Sequence, residues 1–203
     1  MSEVATILLA AGRGTRFGAA PKLLAHLDGR PLVRRAAEAA LAAGPRPVVV
    51  VLGAHADAVR TALAGLDLVF VRNDAYADGL STSLKAGLAA LPPGCDAAIV
   101  MLGDMPLVGA PLIDRLAEAF AAADGAPSSV VPVHEGRRGN PVLLNLRRLG
   151  ASLATLTGDR GAGPLLAGRP DVLEIAGDPA SALDIDTPEA LATLAPSASS
   201  LRA

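Results

Sequence analysis

Aromatic residues make up only 2% of this 203-residue chain, and it has a single cysteine, Cys95. The scarcity of rings means that any core is filled with aliphatic side chains. It also removes the stacking platforms that single-stranded nucleic acids use. One cysteine excludes an intrachain disulfide and a cysteine-based zinc site. Cys95 therefore reads as a small, buried or semi-buried residue just before a strand. Excess charge is lacking as well: the formal balance is −2, which argues against a nonspecific nucleic-acid binder. No uninterrupted apolar run is long enough for a membrane helix. The first apolar run begins within a few residues of Met1, which leaves little room for a secretory leader. A soluble cytoplasmic protein is the expectation.

Two element types alternate along the chain. Residues 4–10 form a continuous apolar run, as a strand buried on both faces requires. Pro31 opens a helix carrying Leu32, Val33, Ala36, Ala40 and Leu41 on one face, and Gly44 stops it. Further strands are predicted at Pro47–Leu52, Leu68–Val71, Ala97–Leu102 and Ser129–Val133. Helices are predicted at Ala56–Ala64, through Leu80, Leu84, Leu88 and Leu91, and through Leu112, Ile113, Leu116 and Phe120. This order predicts a three-layer α/β domain with a mainly parallel sheet and right-handed crossovers. After residue 134 the pattern becomes irregular. Val142–Leu144 reads as a short antiparallel strand, Gly158–Gly161 as the start of a short helix, and Val172–Ile175 and Leu183–Ile185 as further short strands. Thr187-Pro188-Glu189 is a helix start, with Thr as the cap. Residues 1–195 are read as one domain, and 196–203 as a disordered tail.

Five places carry chemistry. The run Leu9-Ala10-Ala11-Gly12-Arg13-Gly14-Thr15-Arg16-Phe17-Gly18, with Lys22 beyond it, ends a strand in a glycine-rich, cationic loop. Backbone N–H groups approach an anion closely where side chains are missing. The loop is not a Walker A motif, because no Gly-Lys-Ser/Thr closes it. Nor is it the dinucleotide fingerprint: its spacing is one residue too long, and no acidic residue ends the second strand. Asp104, in Gly103-Asp104-Met105-Pro106, follows a strand and shares that sheet edge, where a carboxylate can hold Mg²⁺. Asp104 also suits a loop cap. Asp184 and Asp186 alternate onto one face of their predicted strand; either could be a second metal ligand, or both could be helix-start chemistry. In Asn73–Ser83, Gly79 and the hydroxyls stand at a helix N-terminus, suited to ligand oxygens or to capping by Ser81 or Thr82. Arg137, Arg138 and Asn140 occupy a turn-rich segment. His26, His55 and His134 show no metal-ligand spacing and read as structural or solvated. No nucleophile-elbow sequence is present.

Taken in order, these blocks resemble the molybdenum cofactor nucleotidyltransferase-like family of sugar-nucleotide-type transferases. The matching blocks are Leu9–Gly18 with Lys22, Asn73–Ser83, Leu102–Val108, Gly136–Val142 and Asp184–Glu189. The resemblance implies a Rossmann-like α/β/α fold with a small antiparallel C-terminal part. It implies nucleotide contacts from Leu9, Ala10, Ala11, Gly12, Arg13, Gly14, Lys22, Gly79, Ser83 and Gly103. Mg²⁺ would be held by Asp104 and Asp186. Leu9-Ala10-Ala11-Gly12 is similar to the cytidylyltransferase version of the loop; the guanylyltransferase branch has a second Gly where Ala11 stands. Two departures are Asn140, where the family often has His, and Gly103, where it often has Cys or Ala.

The implied reaction is attack by an acceptor phosphate, that of the molybdopterin cofactor, on the α-phosphorus of CTP, with pyrophosphate released. Arg16 and Lys22 would stabilise the leaving group beside the metal-binding Asp104, and Arg137, Arg138 and Asn140 would contact the acceptor. Contact with molybdoenzymes or their chaperones is a further expectation. The alternatives are guanylyl or other nucleotidyl transfer to a different phosphorylated small molecule, and a redox or accessory derivative of the same scaffold.

Overall fold

The computed structural model describes residues 3–17 and 21–194, apart from the Arg16 side chain. Gly18 and the 196–203 tail thus lie outside the described residues. The strands are β1 (Val4–Ala10), β2 (His26–Leu27), β3 (Arg30–Pro31), β4 (Val48–Leu52), β5 (Val69–Arg72), β6 (Ala97–Leu102), β7 (Ser129–His134), β8 (Arg137–Arg138), β9 (Val142–Asn145) and β10 (Val172–Ala176). The helices are α1 (Leu32–Ala42), α2 (Ala56–Ala62), α3 (Leu80–Ala89), α4 (Ala110–Ala122), α5 (Leu146–Ala154), α6 (Gly163–Leu166) and α7 (Pro188–Leu194).

The main sheet runs β10-β7-β9-β6-β1-β4-β5, with β8 pairing on β7. β1 pairs in parallel with β4 and β6, β4 with β5, and β7 with β10; β9 is antiparallel to both β6 and β7. The antiparallel element therefore lies inside the sheet, while the last strand is a parallel edge. Side chains alternate across β1. Leu8 and Ala10 face α1, α2 and α4, and Ile7 and Leu9 face α3, α5 and α6. That double cover explains the unbroken apolar strands.

Two sequence expectations are corrected, and one helix is added. Leu183–Ile185 is not a strand: Pro179–Ala182 forms a short 3₁₀ turn, and the chain then runs irregularly to Asp186. Its pairing edge is replaced by single contacts, among them Ile185 N–H to the Asp104 carbonyl at 3.1 Å. Gly158–Gly161 is a turn and loop, and the short helix starts at Gly163. Helix α5 was not anticipated, although its signals are local. Asn145 Oδ1 accepts from the Arg147 and Arg148 N–H groups at 3.1 and 3.3 Å, and Leu149 and Leu153 are buried one turn apart. The expected cap at Thr187 is present, its Oγ1 accepting from Ala190 N–H at 3.2 Å.

A third, smaller core joins Phe17, Leu27, Leu32 and Ile185, with Leu191 and Leu194 of α7 against it. It sits at the C-terminal edge of β1 and brings remote segments of the chain together there. Among the described residues, no helix is long and apolar enough to cross a membrane.

Candidate active site

The loop after β1 is held by its apolar ends. Ala11 and Phe17 are buried, whereas Gly12 and Arg13 are open to solvent. Gly14 has φ +60°, and a Cβ there would stand 2.7 Å from Lys22 Cβ. Only glycine takes that conformation at that spacing without strain. Gly14 thereby lets the loop close over the Lys22 stem. Pro21 then starts a short 3₁₀ turn over Lys22–Leu24, so the Lys22 backbone is set by its own local structure.

Lys22 is 7% exposed. Its Nζ lies 2.7 Å from Asp104 Oδ2 and 2.5 Å from Asp186 Oδ1. Burial would lower the lysine pKa. Hydrogen bonds to Asp104 and Asp186, with their charges, outweigh burial and hold it above the ordinary lysine value. Asp104 is carried by the end of β6, where Gly103 N–H donates to the Leu9 carbonyl at 3.0 Å. Asp186 is delivered by Ile185, which is fully buried in the third core and bonded through its N–H to the Asp104 backbone. The two carboxylates, 82 residues apart in sequence, thus share one ammonium group.

The cleft above them has a volume of about 540 Å³, a normal size for a small-molecule site. Its polar end holds Gly14, Lys22, Asp104 and Asp186, and Leu9 and Ala11 reach its wall from the β1 side. Tyr76, Ala77, Leu80, Ser83 and Asp159 also line it. The Arg13 guanidinium stacks over the Tyr76 ring at 5.5 Å from its centroid. Buried Asn73 organises the wall: its Nδ2 donates to Thr82 Oγ1 at 2.9 Å and Ser83 Oγ at 3.0 Å, and its Oδ1 accepts from Ala75 N–H at 3.0 Å. Thr82 Oγ1 donates to the Gly79 carbonyl at 2.8 Å, which is a structural role. Ser83 lines the cleft.

Gly79, at φ +110°, is packed directly on the Gly158 carbonyl group, leaving no space for a Cβ. Ser81 N–H donates to that same carbonyl at 3.0 Å. This contact carries Asp159 to the cleft, where it joins the lining without being a sequence candidate; the Gly158-Asp159 turn is its only local signal.

Other candidates stand elsewhere. Ala10 faces the opposite core, and Gly103 packs behind the wall against Leu9, Leu23 and Val33. The Arg16 backbone lies in the short turn Thr15–Phe17, and its side chain is outside the described residues. Asp184 is exposed and does not line the cleft. Arg137, Arg138 and Asn140 are likewise absent from the cleft walls. Arg138 is turned toward Glu174, with Nε to Oε1 at 2.8 Å, and toward the Leu166 carbonyl at 2.9 Å. Asn140 N–H donates to the Ser181 carbonyl at 2.8 Å, tying that turn to the segment that leads to Asp186.

The model of the MobA-like NTP transferase domain matches residues 6–173. The chain belongs to the MobA-like NTP transferase family. This MobA-like chain is 35% identical over 192 residues to nicotine blue oxidoreductase of Paenarthrobacter nicotinovorans, covering 92% of this chain and 93% of that one. It is 43% identical over 125 residues, or 60% of its length, to bifunctional protein GlmU of Kineococcus radiotolerans, and the match spans only 26% of that longer protein. Among solved structures, Rv0371c of Mycobacterium tuberculosis superposes with a TM-score of 0.83 at 29% identity, covering 95% of this chain and 97% of that one. Rv0371c has also been solved in complex with manganese, with a TM-score of 0.78, 30% identity, and coverage of 95% and 98%.

The carboxylate pair of the MobA-like chain suits a hard divalent cation. Among the described residues there is no group of three or more His, Cys, Asp or Glu side chains that could hold a metal. Mg²⁺ needs fewer, since one or two carboxylates suffice when substrate phosphates and waters complete the octahedron. Asp104 Oδ1 is buried and has no hydrogen-bond partner among the described residues. A buried oxygen left unpaired is costly, and a cation would satisfy it.

Proposed function

We propose that this chain is a Mg²⁺-dependent nucleotidyltransferase that transfers CMP from CTP to the phosphate of the molybdopterin cofactor, releasing pyrophosphate. The observation that carries this reading is the Lys22 ammonium set between Asp104 and Asp186 under a glycine-rich loop. That arrangement supports a triphosphate at the polar end of the cleft. The base then lies toward Leu9, Ala11, Leu80 and Ser83. Ala11, with a methyl group where a second glycine would leave space, favours the smaller pyrimidine.

An acceptor phosphate oxygen bonds to the α-phosphorus as the bond to pyrophosphate breaks. The acceptor is already anionic, so no protein nucleophile or general base is needed, and alignment with charge neutralisation does the catalysis. The Gly12–Gly14 backbone N–H groups and Arg13 bind the β- and γ-phosphates. Lys22 and Arg16 neutralise the charge that develops on the leaving group. Asp104 and Asp186 would hold the Mg²⁺ ion, which when bound would supply Lewis-acid stabilisation of phosphate charge. Arg137, Arg138 and Asn140 are proposed for the acceptor on the family resemblance alone; they lie outside the cleft walls, and Arg138 is paired with Glu174.

The test is pyrophosphate release with each of the four ribonucleoside triphosphates, molybdopterin and Mg²⁺. Release with CTP well above the other three is expected. Release with GTP instead would move the reading to guanylyl transfer. A second reading, a redox derivative of the same scaffold, is favoured by the oxidoreductase name of the full-length relative. Oxidation of a nicotinamide hydride donor with no pyrophosphate released from any nucleotide would select it.

A further inference from the structure

Lys22 is one of only two lysines in a chain with sixteen arginines; the other is Lys85, on α3. The choice of side chain is chemically specific. An ammonium is a compact point charge on a flexible stem, whereas a guanidinium is a planar fork that locks onto a carboxylate. The stem of Lys22 passes close to Gly14 at Cβ, and its head is held by two acidic side chains. The outer torsions are what remain adjustable. Asp104 is not fully used by this contact, because its Oδ1 stays buried without a hydrogen-bond partner among the described residues. The same two carboxylates are the donor set that fits a divalent cation, and the same ammonium lies at the phosphate end of the cleft.

We propose that Lys22 is the resident counter-ion of Asp104 and Asp186, and that it exchanges these carboxylates for a nucleotide phosphate when a divalent cation binds them. Metal and triphosphate are then coupled through one side chain. Lys22 lowers the affinity for either partner alone, and each partner releases what the other needs. The coupling is reciprocal in binding free energy. The inference rests on the metal-and-nucleotide reading of the cleft.

Two measurements without nucleotide test it. The first is Mn²⁺ binding, followed by the signal of the free ion, in wild type, Lys22→Gln and Arg13→Gln. Lys22→Gln is expected to bind Mn²⁺ about tenfold more tightly than wild type. Arg13→Gln, which removes a cation stacked on Tyr76, is expected to change affinity less than about twofold, because exposed charges are screened. The second is NMR of wild-type protein labelled with ¹⁵N-lysine, which has two ammonium groups to observe. Added Mg²⁺ is expected to move or broaden the Lys22 signal while leaving that of Lys85 in place; this needs no variant to fold.

Mn²⁺ affinity in Lys22→Gln equal to or weaker than that of wild type, with an unmoved Lys22 signal, overturns the exchange and leaves the metal site standing. Equal tightening in Arg13→Gln overturns it too, since general electrostatics would then account for the effect. Failure of wild type and both variants to bind Mn²⁺ overturns the exchange together with the metal reading beneath it.

Discussion

Asp104 has two tasks at one position. Its backbone carbonyl anchors Ile185, and its carboxylate meets Lys22. Replacing the carboxylate with an amide separates them, because the backbone contact is untouched and the shape is kept. Asp104→Asn is therefore expected to lower pyrophosphate release by roughly two to three orders of magnitude, the scale for losing one charged group at a reacting phosphate. Its thermal midpoint is expected to stay within about 4 °C of wild type. Turnover at the wild-type rate would remove Asp104 from the chemistry. Lys22 makes a less clean probe of turnover: without it two carboxylates face each other with less compensation, so loss of activity would mix with loss of stability.

At the scale of elements, the polar end of the cleft depends on the third core. Asp186 sits on an irregular segment, with no ladder of hydrogen bonds on either side. Beside its ion pair with Lys22, it is positioned by Ile185, fully buried against Phe17, Leu27 and Leu32. Ile185→Ala is expected to cost about 2–5 kcal/mol, and Ile185→Val about 0.5–1.5 kcal/mol. The alanine variant should also weaken Mn²⁺ binding more than its stability loss explains, because the cavity frees the neighbouring Asp186. Urea denaturation alongside Mn²⁺ titration checks both. Stability lost with Mn²⁺ affinity unchanged would show that Ile185 fills space without placing Asp186. The other wall rests on the Gly79–Gly158 contact, where two backbones touch, Gly79 has a positive φ of +110°, and the Gly158 carbonyl leaves no room for a side chain.

At the scale of the whole molecule, the β10 edge is held by its ladder to β7 and, at its start, by Asp171. Its carboxylate accepts from Arg169 Nε at 2.9 Å, Ser128 Oγ at 3.0 Å and Arg148 Nη1 at 3.1 Å. Arg169 above all, with Ser128 and Arg148, holds its pKa far below the ordinary carboxylate range, against a smaller opposing effect of burial. A carboxylate depressed by folding stabilises the native state above its unfolded pKa, and that contribution is lost as pH falls toward the folded value. Asp171→Asn should therefore lower the thermal midpoint at neutral pH. The gap to wild type should narrow progressively below about pH 4, where unfolded carboxylates protonate. A gap of the same size at both ends of a calorimetric pH series would mean that the charge of Asp171 is not what ties the edge down.

Much of the architecture was written locally. β1, β4 and β6 are continuous apolar runs because both faces of the sheet are covered, and the helices between them carry their own stripes and stops. The glycine-rich loop, Asp104 at a strand end and the Thr187 cap are likewise legible residue by residue. Three things were not. β9 entered the sheet interior between β6 and β7, because pairing partners are chosen by long-range register and not by the four residues themselves. Asp184 and Asp186 looked equivalent by alternation, but Ile185 docks in a non-strand segment, leaving Asp184 in solvent and bringing Asp186 to Lys22. Asp159 reached the cleft through Gly158 packing on Gly79, a backbone contact between segments about eighty residues apart. Periodicity and turn chemistry are properties of neighbours in the chain, and they specified the elements and the glycine-rich loop. Which charged groups meet depends on how the buried faces of distant segments pack, and that became visible only once the chain had folded.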